Sequence, residues 1–148
     1  KEQSLETTGW ILLFTMALHN FPEGLAIGSA GAENEKIGLI VALTIAIHDI
    51  PEGMAVATPF VGGKFKNNSI FLITMLSGLS TVIGGMVGFW LGNISAQANA
   101  FCLGVAGGAM LYVVFVELLP TAIKTNTKLT TFWYFLIGTS IGLFFLLL

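Results

Sequence analysis

The sequence predicts an all-α fold, a polytopic bundle of transmembrane helices, and three observations carry that expectation. Charged residues make up 9% of the 148 and hydrophobic ones 55%, whereas a soluble domain carries roughly 25% charge. The apolar residues fall in long blocks, each near the ~20 residues that a helix needs to cross the hydrocarbon core. The polar breaks between blocks are short. The mean hydropathy of +0.87 agrees. The formal net charge of −2 is segregated along the chain, and the lipid bilayer, not a nucleic acid, is the expected partner.

Five spans follow from hydropathy, at about 10–28, 37–61, 70–91, 98–120 and 131–148. The first is closed by the polar turn Gly31-Ala32-Glu33-Asn34-Glu35-Lys36, and the second by Gly62-Gly63-Lys64-Phe65-Lys66-Asn67-Asn68. The third carries Gly78, Gly84, Gly85, Gly88 and Gly92, whose small-xxx-small spacings let helix backbones approach closely. Gly104, Gly107 and Gly108 are expected to do the same in the fourth, which also holds the single cysteine, Cys102. One cysteine excludes an internal disulfide and a cysteine-based zinc site, so a packed, inert thiol is expected. The fifth span, with only Thr139 and Ser140 polar at mid-span, reads as scaffold. Loops this short make sequential helices antiparallel neighbours.

Lysine sets the orientation. With the N-terminus in the cytoplasm, Lys1, Lys64, Lys66, Lys124 and Lys128 lie inside, and only Lys36 lies outside. The chain opens on Lys1-Glu2-Gln3-Ser4 without a methionine and ends in Leu146-Leu147-Leu148. It is expected to be one part of a longer protein.

One stretch occurs twice, as Leu18-His19-Asn20-Phe21-Pro22-Glu23-Gly24 and Ile47-His48-Asp49-Ile50-Pro51-Glu52-Gly53. Both copies lie within spans, where an ionisable residue costs at least ~2.5–3.5 kcal/mol. Glu23, Asp49, Glu52 and Glu117 are the acidic residues at that depth, and no lysine lies there to pair with them. Such carboxylates are protonated or neutralised by a cation, and metal is the economical partner. His19 and Glu23 are four residues apart, as are His48 and Glu52, so each pair shares a helix face. Pro22 and Pro51 remove a backbone hydrogen bond beside each pair and are expected to bend the helices there. Gly24 and Gly53 would let a partner helix come close.

Two His and two Glu suit zinc, and also iron(II) or manganese(II). Asn20 and Asp49, one residue on from each His, would supply a second, harder oxygen site, with Glu23 and Glu52 between the two ions. A lone intramembrane His is as often a helix–helix hydrogen bond as a ligand, but two with the same Glu spacing favour ligation. Because one short loop joins the copies, they enter the membrane in opposite directions, like the inverted repeats of transporters. Glu117, in Val116-Glu117-Leu118-Leu119-Pro120, stands alone, as a pathway residue, a proton acceptor, or a carboxylate reaching the interface. Met16, Met54 and Met110 read as packing.

These motifs resemble the ZIP (Zrt/Irt-like) metal transporters, nearest their bacterial, GufA-like branch. Leu76-Ser77-Gly78-Leu79 and the run from Gly108 to Pro120 resemble the later spans of that family. The resemblance implies eight helices, of which these would be the fourth to eighth, with three N-terminal helices absent from this chain. It implies a homodimer in the bacterial inner membrane that moves zinc, or Fe2+, Mn2+ or Cd2+, into the cytoplasm. Carried over by motif, His19, Glu23, His48 and Glu52 resemble the ligands of one metal site, and Asn20, Asp49, Glu23 and Glu52 those of another. Several relatives place a carboxylate where this chain has Ser80-Thr81, which leaves the second site short of a charged ligand. The expectation is a transporter and no enzyme. An intramembrane zinc hydrolase is the alternative, though no His-Glu-x-x-His arrangement supports it, and a structural metal site is the third reading.

Overall fold

The computed structural model describes residues 5–146, leaving out the side chains of residues 117, 118, 121, 125, 145 and 146. Every described element is helical: α1 (Leu5–Glu33), α2 (Glu35–Gly62), α3 (Asn67–Ile94), α4 (Ala96–Tyr112), a π-helical segment (Val113–Leu118), α5 (Leu119–Thr125) and α6 (Lys128–Leu146). Among the described residues, four helical stretches are long and apolar enough to cross a membrane: Leu5–Glu33, Glu35–Gly62, Asn67–Ile94 and Ala96–Val116. The chain divides into two compact units, Lys1–Met110 and Leu111–Leu148.

In the first unit the helices outrun their apolar blocks. The turn expected over Gly31–Lys36 shrinks to Asn34, because that one residue completes both helix ends. Its N–H donates to the Ala30 carbonyl at 2.9 Å. Its Oδ1 accepts from the N–H groups of Lys36, at 2.9 Å, and Ile37, at 3.3 Å, capping α2. Ser95 does likewise between α3 and α4, its Oγ accepting from the Ala98 N–H at 3.1 Å. The α2–α3 connection keeps a true turn, in which Lys64 takes a left-handed φ of 58°.

The surface is apolar and the interior partly polar. Leu18 is 77% exposed, and Phe14, Ile47 and Phe71 are exposed with it, while Asn20, Glu23, Ser29 and Ser77 are buried. Lipid gives apolar side chains no reason to turn inward, so small and polar residues organise the contacts. α1 and α3 run parallel with an offset of 57 to 59 residues, set by Asn20 Nδ2 donating to the Ser77 carbonyl and Ser29 Oγ to that of Gly88. Between these bonds the backbones touch through glycine. A Cβ on Gly24 would meet the Thr81 carbonyl and sit 2.7 Å from the Gly85 nitrogen. One on Gly28 would meet the Gly85 carbonyl, and one on Gly84 that of Phe21.

α4 meets α1 through a different face. Cys102 and Ala106 pack on Leu25 and Ala26, so the thiol is buried. Gly104, Gly107 and Gly108 point away from that face, and a Cβ at any of them would meet nothing within 4 Å among the described residues. Among the described residues, these three glycines thus make no close helix contact.

A second cluster holds α1, α2 and α3 together at the opposite end. Leu13, Val56, Phe60 and Ile70 form it, with Met16 and Phe65 against them. Phe60 is fully buried, its ring edge-on to Trp10 at 5.4 Å and to Phe65 at 5.3 Å. Gly9 leaves the space, since a Cβ there would lie 2.8 Å from the ring. Replacing Phe60 by Ala is expected to cost ~3–5 kcal/mol. A thermal melt in detergent reads this directly, and an unchanged midpoint would remove Phe60 from the core.

The second unit opens on the π-helical segment. Pro120 has no N–H to give the carbonyl four residues back, and just before it the Leu119 N–H reaches five back, to Val114. The fourth expected span thus ends in a widened turn and runs on into α5. Thr131 Oγ1 donates to the Ala122 carbonyl at 3.2 Å and ties α6 to α5. Glu117 lies in the π segment, but its side chain is outside the described residues.

Candidate metal site

The site follows from the antiparallel register of α1 and α2. His19 and Glu23 share one face of α1, and His48 and Glu52 one face of α2. With the helices opposed, each His meets the Glu of the other copy. His48 Nε2 lies 2.7 Å from Glu23 Oε1, and His19 Nε2 lies 3.4 Å from Glu52 Oε1. Within α1, His19 Nε2 is 3.2 Å from Glu23 Oε1. The four ligand atoms all fall within 4.8 Å of one another. Ligands at ~2.0–2.1 Å around a tetrahedral zinc stand roughly 3.3–3.4 Å apart. The His–Glu pairs, at 2.7 to 3.4 Å, stand at or inside that spacing.

Glu23 is the hub, reaching both histidines, and its side chain is 1% exposed against 22% for Glu52. Pro22 and Pro51 lie inside α1 and α2, one residue before these carboxylates. Gly24 receives the close approach of α3 described above. Gly53 is looser, facing the Thr74 methyl group at 3.4 Å from where its Cβ would be.

Asn20 and Asp49 lie beside the cluster. With Glu52, Thr74 and Ser77 they line a cavity of about 150 Å³ between the three helices. Asn20 spends its Nδ2 on the Ser77 carbonyl at 3.3 Å, which leaves Oδ1 buried and unpartnered. Asp49 Oδ1, 3.6 Å from His48 Nε2, also lacks a hydrogen bond, as do Glu23 Oε2 and Glu52 Oε2. Four buried oxygens without donors, two of them on the cluster's own carboxylates, make a strongly cation-seeking environment. Among the described residues no lysine pairs with them.

Of the positions flagged for a missing carboxylate, Ser80 turns its Oγ back to the Ser77 carbonyl at 2.9 Å, and Thr81 Oγ1 is buried without a partner. Sequence reasoning missed Thr74 and Ser77. Only their placement one to two turns before Ser80-Thr81, on the same face of α3, could have pointed to them. Met16 lines the same cavity, Met110 packs against the α1–α4 contact, and Met54 is exposed on the outer surface.

Known proteins resemble this chain in sequence. The sequence profile described as ZIP zinc transporter matches residues 1–147. A zinc transporter ZupT of Corynebacterium aurimucosum is 38% identical over 128 residues, covering 85% of this chain and 48% of that protein. One from Clostridium perfringens is 38% identical over 128 residues, covering 84% and 44%. One from Corynebacterium glutamicum is 37% identical over 142 residues, covering 95% and 54%. This chain thus spans about half the length of the curated relatives it matches. No solved structure matches. With a profile match over nearly its whole length and a repeated His/Glu motif gathered between helices that can cross a membrane, the chain is an integral membrane protein that belongs to the ZIP zinc transporter family.

Proposed function

We propose that the protein carries divalent metal cations across the membrane, zinc foremost, through the cluster of His19, Glu23, His48 and Glu52. The observation that carries this reading is the crosswise pairing of His and Glu between two antiparallel, apolar helices. Those carboxylates lie at a depth that an unpaired charge does not tolerate. The relatives named zinc transporter support zinc as cargo, and imidazole with carboxylate also admits Fe2+, Mn2+ and Cd2+. No thiolate holds the ion, so it can leave again, as transport requires.

Asn20 and Asp49 extend the path into a second, oxygen-lined position, with Glu23 and Glu52 serving both. Pro22 and Pro51 bend the helices beside the ligands and free carbonyls toward the ion. The opposed repeats favour alternating access. The lysine distribution favours a cytoplasmic N-terminus, and the family resemblance favours flow into the cytoplasm across a bacterial inner membrane, in a homodimer completed by N-terminal helices beyond this chain. A hydrolase is not favoured. The family is one of transporters, and the two Glu of the cluster stand as matched ligands with the two His.

Zinc uptake into proteoliposomes holding the full-length protein tests the reading. Saturable uptake, reduced at least about tenfold in Glu52→Ala, is expected from loss of one ligand. Bound zinc without any flux would sink it.

A further inference from the structure

We propose that the Thr74 hydroxyl is a neutral oxygen ligand for a hard divalent cation, held in the cavity that Asn20, Asp49 and Glu52 line. The proposal rests on the reading of these helices as a cation pathway. Its starting point is a departure from habit. Threonines in a helix usually return their hydroxyl to the carbonyl four residues back. Thr15, Thr44, Thr58 and Thr139 do so here, at 2.7 to 2.9 Å. Thr74 does not: its Oγ1 is buried and has no hydrogen-bond partner.

Its surroundings give that oxygen a purpose. The Thr74 methyl faces Gly53 of α2, and the Thr74 carbonyl accepts from Ser77 Oγ at 2.7 Å, which holds this turn of α3 in place. Thr74 shares the cavity wall with Asn20, whose Oδ1 is also unpartnered because Ser77 occupies its Nδ2. Asp49 and Glu52 add further buried oxygens without donors. These oxygens come from three helices, and none satisfies another.

Charge explains why a neutral group suffices. Glu23, Asp49 and Glu52 already bring three carboxylates close together. A hydroxyl and an amide oxygen complete a coordination shell at no cost in charge. An oxygen-only shell of this kind suits harder cations such as Mn2+, while the histidine cluster beside it suits zinc.

The test is Mn2+ binding to the full-length protein in detergent, followed by the resonance signal of free Mn2+, in wild type, Thr74→Val and Thr74→Ser. Val is nearly isosteric but lacks the oxygen. Thr74→Val is expected to weaken Mn2+ binding about tenfold, and Thr74→Ser to stay within about twofold, with zinc binding to the histidine cluster retained in both. Melting adds a readout that a packing role would move the other way. Removing an unsatisfied buried hydroxyl leaves the metal-free protein at least as stable, while the rise in melting temperature on adding Mn2+ shrinks. Wild-type Mn2+ affinity in Thr74→Val, or no Mn2+ binding in the wild type, overturns the proposal. A loss of metal-free stability in Thr74→Val that matches its loss of binding does so too. Flux after reconstitution of the same variants into proteoliposomes separates the two readings, because Thr74-dependent binding without transport sinks the transporter and leaves this ligand standing.

Discussion

Glu23→Gln is expected to abolish zinc uptake, with a loss of at least about 100-fold, equivalent to ~3 kcal/mol of lost ion stabilisation. Gln keeps the size of the side chain and removes its charge. Glu23 alone in the cluster touches both histidines, at 3.2 and 2.7 Å, and its side chain is 1% exposed, so no water can take over from the missing carboxylate. Glu52 meets one histidine, at 3.4 Å, and is 22% exposed. Glu52→Gln is therefore expected to lose less than Glu23→Gln. Radioactive zinc uptake, with bound zinc counted by elemental analysis, gives both numbers. Equal losses would show that the hub geometry does not matter, and wild-type uptake in Glu23→Gln would remove the cluster from the pathway.

The second large effect is mechanical. Gly24→Ala and Gly28→Ala each drive a methyl group into the backbone of α3, the first against Thr81 and Gly85 and the second against Gly85 and Phe89. Backbone cannot rotate aside as a side chain does, so α1 and α3 must part. Overpacking of this kind costs ~1–3 kcal/mol per site. Separation also lengthens the bonds from Asn20 to Ser77 and from Ser29 to Gly88, each already 3.3 Å. The paired substitution is expected to lower the melting temperature of the detergent-solubilised protein by several degrees and to weaken metal binding with it. Gly107→Ala, where a Cβ would meet nothing within 4 Å, is the control and is expected to melt like wild type. A double variant as stable as that control would mean that the two helices do not touch there.

These contrasts show where the sequence was legible. Apolar block length announced the helical membrane class, and the four-residue spacing of His and Glu put each pair on one face. A single short loop then opposed the faces, so the gathering of His19, Glu23, His48 and Glu52 could be anticipated. The small-residue spacing of Gly84 and Gly88 marked a contact, and α1 fills it. The same reasoning finds no partner for Gly104, Gly107 and Gly108 among the described residues, because spacing names a possible face without naming its neighbour. The shrinking of two polar loops to Asn34 and Ser95 was hidden as well. Hydropathy registers where the apolar block stops, whereas the helix stops only where a cap satisfies its ends. Nor does a threonine in a sequence reveal whether its hydroxyl turns back to its own helix or is left for something else. Thr58 turns its hydroxyl back to Met54, whereas Thr74 leaves its own unpartnered.

The brevity of the α1–α2 connection has a further consequence. Only Asn34 lies outside helix between them, and its backbone is already extended, at φ −156° and ψ 123°, so it has no slack to yield the ~5.4 Å of a helical turn. α1 is thus tethered too tightly to ratchet along α2 to the next rung. The pairing of His19 with Glu52 and of His48 with Glu23 is locked in register at the sequence level. On the proposed pathway, an ion lodged there would leave by exchange of ligands or by tilting of the helices, and not by their sliding past one another.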